Sequence, residues 1–123
     1  MLIALRVTAI LHAVSFFLQP MLAGMFLSGQ DEAIGSHQTN GGVLAMIALV
    51  MIVLAGLARR KRLVGPRVLP VVLAIFVLEI VQLTAGTKHV MWLHIPLGVA
   101  LFATTIATLP MTLRGRPTEE ARS

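Results

Sequence analysis

Four apolar stretches, each long enough to cross a bilayer as a helix of about 17 to 25 residues, take up most of this 123-residue chain. They run roughly over residues 2–27, 41–58, 68–85 and 90–113. Hydrophobic residues make up 57% of the sequence and charged ones 12%, with a mean hydropathy of +0.89. A soluble domain carries about twice that share of charge. The predicted fold class is therefore all-α, a single integral membrane domain over residues 1–123. The connections are short and rich in turn residues, with Gly29 and Gly35 in the first, Gly65-Pro66 in the second and Ala85-Gly86 in the third. Short connections make neighbouring helices antiparallel, which gives an up-down four-helix bundle.

Charge placement orients the bundle. Arg6, the run Arg59, Arg60, Lys61 and Arg62, then Arg67, Arg114, Arg116 and Arg122 all fall on one side, nine of the ten basic residues. The positive-inside rule makes that side cytoplasmic, with both termini on it, in a multi-pass protein of the cell membrane. The other side carries Asp31 and Glu32 in a loop expected over residues 28–40, and Lys88 in a tight turn. A basic loop beside a bilayer faces anionic headgroups, so the high isoelectric point argues for lipid and against nucleic acid as partner. The first stretch is long, has Arg6 as its only positive flank and lacks an A-x-A site, so it reads as a span rather than a cleaved signal.

The chain has no cysteine. Disulfides, thiolate metal sites, iron–sulfur clusters and covalent haem attachment are excluded together. Any cofactor must rest on His, Met, Glu or backbone groups, and the seven methionines form no M-x-x-x-M cluster facing a histidine pair except Met21 to Met25.

One spacing occurs twice: His-x-x-x-Gly, at His37 to Gly41 and at His94 to Gly98. Residues four apart share a helix face, so each imidazole is expected to lie one turn from a position without a side chain. Both histidines fall near the outer ends of spans 2 and 4, which are diagonal in an up-down bundle. Two such slots facing each other suit a flat macrocycle held by both imidazoles, with His37 and His94 as iron ligands, Gly41 and Gly98 giving clearance, and Lys88 and His89 near its carboxylates. Below them, small or polar stripes continue through Ala45, Ala48 and Ala55 on span 2 and through Leu101, Thr105, Thr108 and Thr112 on span 4. Stripes of this kind also serve plain helix packing. A Gln late in spans 1 and 3 (Gln19, Gln82) precedes each motif, which suggests a duplicated hairpin.

Glu79, Gln82 and Gln19 are the notable polar groups inside the spans and are expected to form one layer, with Glu79 neutral and hydrogen-bonded to Gln82 or Gln19. A carboxyl in hydrocarbon is costly and marks a functional candidate. His12 lies deeper, without a second histidine at its level, as a bundle hydrogen-bonder or part of a proton route with Glu79. Pro96, two residues after His94, is expected to start or bend the fourth helix.

The segments Leu11 to Val14, Gln19 to Gly24, His37 to Gly42 and Leu93 to Gly98 carry the pattern L-H-A-V, Q-P-x-L-A-G, H-x-x-N-G-G and L-H-x-P-L-G. Over nearly its whole length the chain resembles a family of small four-helix actinobacterial membrane proteins with this pattern. More distantly it resembles one four-helix half of haem A synthase and other b-type membrane cytochromes. The second resemblance implies His37 and His94 as axial ligands of haem b. The chain differs from the synthase in having one half only, no cysteines and no clear acidic catalytic residue near the outer site, which leaves haem binding without haem modification. The function expected is electron transfer by a cytochrome b-like protein, with a quinone or a larger membrane complex as partner. The alternatives are a proton-coupled transporter using Glu79, Gln82, Gln19 and His12, or an accessory subunit whose small-residue faces pack on other chains or on a second copy.

Overall fold

The computed structural model describes residues 1–114; Arg116 and Arg122 of the basic tail lie outside the described residues. Four helices follow one another: α1 (Leu2–Leu27), α2 (Ala33–Arg60), α3 (Val68–Thr87) and α4 (Met91–Leu113). All four are long and apolar enough to cross a membrane. Each packs on its neighbours in the order α1, α2, α3, α4 and back to α1, leaving α1–α3 and α2–α4 as the diagonals.

The buried positions explain the packing. On α2 they fall at Gly41, Leu44, Ala48, Met51, Ala55 and Ala58, alternating steps of three and four; Leu5, Ala9, His12 and Phe16 on α1 and Val68, Val72, Ile75 and Glu79 on α3 do the same. An average step of 3.5 keeps one narrow seam of each helix on a common axis, as in other antiparallel bundles. The seam is where the sequence puts its small residues, so the backbones approach closely. Outside it the helices present apolar side chains to the surroundings, among them Phe17, Met46, Val53, Val77 and Val99. In water such a coat would drive aggregation; in lipid it is the required surface.

The helix ends are closed by their own backbone. After α1 the Gln30 N–H donates to Met25 O at 3.1 Å; after α2 the Leu63 N–H donates to Ala58 O at 2.9 Å; after α3 the Val90 N–H donates to Ala85 O at 2.8 Å. Each is the six-to-one bond of a Schellman cap, which puts the preceding residue in the left-handed region. That residue is Gly29 after α1, but Arg62 (φ 56°) after α2 and His89 (φ 58°) after α3.

Two sequence expectations need correction. The α1–α2 loop is five residues, 28–32, because α2 begins at Ala33, eight residues before its apolar stretch. Ile34 to Asn40 is too polar for a hydropathy reading yet contains no helix breaker but Gly35, so the helix extends through it. His37 is therefore helical rather than loop-borne, on the same helix as Gly41. Pro96 does not start α4, which runs through it from Met91.

Candidate functional site

At the end of the bundle opposite the Arg59–Arg67 segment, the diagonal helices α2 and α4 bring His37 and His94 together, ring centroids 6.1 Å apart and planes at 71°. Both rings are half-buried. Each is fixed from the adjacent helix: His37 Nδ1 lies 3.1 Å from the Gln19 backbone oxygen and His94 Nδ1 lies 2.9 Å from the Gln82 backbone oxygen. A carbonyl only accepts, so in both rings Nδ1 carries the hydrogen and the neutral ring keeps its lone pair on Nε2. Histidine ligands of metals are held in this way, by a donor bond from the nitrogen that does not bind.

The two glutamines repeat the pattern with their side chains. Gln82 Nε2 donates to the His94 carbonyl at 2.8 Å. With the Gln19 amide turned so that its donors meet acceptors, its nitrogen donates to the His37 carbonyl at 3.1 Å and its oxygen accepts from the Gly41 N–H at 3.3 Å. The hairpin duplication suggested by the sequence is thus a repeat of contacts: histidine ring to glutamine carbonyl, glutamine amide to histidine carbonyl.

This arrangement changes the role expected of the glycines. A Cβ on Gly98 would lie 2.7 Å from Gln82 Nε2, and one on Gly41 would lie 3.1 Å from the Gln19 amide. The notches beside the histidines hold glutamine amides and are not open ring slots. A third glycine, Gly86, went unnoticed in the sequence except as a turn residue; a Cβ there would lie 2.8 Å from His94 Cε1. Its signal was its place one turn after Gln82. Asn40 was also missed: its Nδ2 donates to the Ser15 carbonyl at 2.8 Å and pins α2 to α1 beside the site. Lys88 and His89 are exposed at the end of α3, and His89 serves as the left-handed residue of the helix cap.

The expected single polar layer is two. Gln19 and Gln82 belong to the histidine site, whereas Glu79, one turn deeper, takes neither as its partner. Its Oε1 lies 2.7 Å from His12 Nε2, a contact across the α1–α3 diagonal. His12 is 2% exposed and Glu79 3%. The imidazole packs nearly perpendicular to the Phe16 ring, with centroids 5.1 Å apart.

Among the described residues no three His, Cys, Asp or Glu side chains converge on a metal position. The protein offers two imidazoles there, so any metal they hold must bring its remaining donors with it. No protein family, curated protein or solved structure matches this chain.

Proposed function

We propose that His37 and His94 would hold one b-type haem, and that the protein is a membrane electron-transfer protein. The observation that supports this is the pair of Nδ1–H bonds to the Gln19 and Gln82 carbonyls, which leave two Nε2 lone pairs on diagonal helices. The two imidazoles stand with ring centroids 6.1 Å apart. When bound, a haem would bring its own four nitrogen donors and supply an iron for single-electron exchange.

The donor set fits, and the space must be made by the glutamines. Each amide is held by neutral hydrogen bonds worth about 1 kcal/mol, so turning Gln19 and Gln82 aside costs little beside two strong iron ligands. Lys88 and His89, exposed at the same end of the bundle as the two histidines, would pair with the haem carboxylates. The basic end is assigned to the cytoplasm of the cell membrane and the histidine end to the outside, where a quinone or a larger membrane complex exchanges the electron.

Optical and paramagnetic-resonance spectra of the purified protein titrated with haem test the reading. The wild type is expected to give a low-spin spectrum that changes on dithionite reduction. His37→Ala and His94→Ala lose the low-spin form, whereas His12→Ala keeps it. Gln19→Ala with Gln82→Ala, which frees the notches, tightens binding. Full low-spin occupancy in both His37→Ala and His94→Ala ends the proposal.

A further inference from the structure

The inner half of the bundle contains a cavity of about 20 Å³, room for a single water, lined from all four helices. Its polar lining is His12 on α1 and Thr105, Thr108 and Thr112 on α4. The threonines recur at steps of three and four, so they descend one face of α4 from the level of His12 toward the basic end. Thr108 Oγ1 donates to the Thr104 carbonyl at 2.7 Å and Thr112 Oγ1 to the Leu109 carbonyl at 2.8 Å, which leaves their oxygens as acceptors. Thr105 Oγ1 is buried and has no partner, and neither has the second carboxyl oxygen of Glu79, Oε2. Buried polar atoms without partners are uncommon and ask for an explanation.

We infer that the His12–Glu79 pair is a proton-binding site loaded from the basic end of the bundle through the threonine-lined cavity. This holds whether or not the outer histidines bind haem. One proton between Nε2 and Oε1 leaves the pair without net charge, on whichever atom it rests. A second proton, taken from the basic end by a cavity water that gives one up in turn and so stays neutral, reaches the pair on the side of His12, which lines the cavity. The pair is then an imidazolium beside a carboxylic acid whose unpartnered Oε2 can carry the proton, with a net charge of one. Threonine hydroxyls both donate and accept, and so can relay a proton where alanine or valine cannot.

The surroundings make the added charge felt. The cavity wall is Ala48 and Met51 from α2 and Val68, Val71, Val72 and Ile75 from α3, and among the described residues His12 is the one titratable group that lines it. On α1 the nearest charge in sequence is Arg6, roughly 9 Å below His12 at 1.5 Å per residue. On α2 the first charges below the site are Arg59 and Arg60, and α4 has none within its span.

Infrared difference spectroscopy of the full chain in lipid nanodiscs, in H₂O and D₂O, tests this. The expected result is a protonated-carboxyl band that grows on acidification, shifts on deuterium exchange and is missing in Glu79→Gln. Should that variant not fold, Glu79→Asp assigns the band by moving its frequency. Thr105→Val with Thr108→Val, which keeps side-chain shape, slows deuterium exchange of the band by about tenfold, the kinetic equivalent of losing one relay hydrogen bond. Thr84→Val, at the opposite end, leaves the rate unchanged. Absence of an exchangeable Glu79 band in folded protein overturns the inference, as does an exchange rate indifferent to the two inner threonines.

Discussion

At the scale of single residues, the His12–Glu79 contact shows how a buried polar pair is held against its own cost. Removing one partner leaves the other without compensation in a low-dielectric interior, which costs about 3–5 kcal/mol. His12→Ala is therefore expected to lower the midpoint of thermal or denaturant unfolding in detergent sharply. The double variant His12→Leu with Glu79→Met should recover most of the loss, because an apolar pair of similar volume has no polar group to desolvate. If the double variant is as unstable as the single, the pair is not the source of the loss. His89 and Arg62 show strain of another kind. Each occupies a left-handed cap position that costs a side-chain-bearing residue roughly 1 kcal/mol and glycine nothing. His89→Gly should raise stability by up to about 1 kcal/mol in the same assay. No gain would show that the exposed ring makes a compensating contact.

At the scale of elements, the recurring unit is a hairpin clamped near its tip. One helix gives a carbonyl and an amide, and the next gives an imidazole, a carbonyl and a glycine one turn on. The glycines divide accordingly. Gly98→Ala and Gly86→Ala would each put a methyl within 2.8 Å of Gln82 or His94 and should destabilise the bundle. Gly42→Ala and Gly56→Ala meet nothing within 4 Å and should stabilise their helix by about 0.5–1 kcal/mol. Four melting curves check this, and equal effects at all four positions would remove the clamp as an explanation of the glycines. The sequence showed the paired His-x-x-x-Gly spacing because it is local. It did not show what fills the notch, because Gln19 lies 18 residues before His37 and Gln82 lies 12 before His94, each on another helix. The early start of α2 was hidden for a related reason: Ser36 to Asn40 is polar, so hydropathy marks the edge of the apolar stretch rather than the end of the hydrogen-bonded helix.

At the scale of the whole molecule, antiparallel threading gathers Arg6, Arg59 to Arg62, Arg67 and Arg114 at one end, and Asp31, Glu32 and Lys88 at the other. With the basic end in the cytoplasm, Gln30→Cys should react with an impermeant thiol reagent added to intact cells, and Lys61→Cys should react only after lysis. The reverse pattern would invert the assignment. The four spans, their alternation and the gathering of basic residues at one end were legible in the sequence because hydropathy and charge add up residue by residue along the chain. Partner choice was not. Each residue turns a helix by about 100°, so the groups that meet across the axis depend on how four seams settle against one another. That packing set His37 opposite His94, seated Gln82 in the notch of Gly98, and gave Glu79 to His12 on the far diagonal rather than to the nearer glutamines. The sequence alone determined how many helices there are and which way they run; only the tertiary structure decided their rotation and relative height, because those come from side chains interlocking between helices.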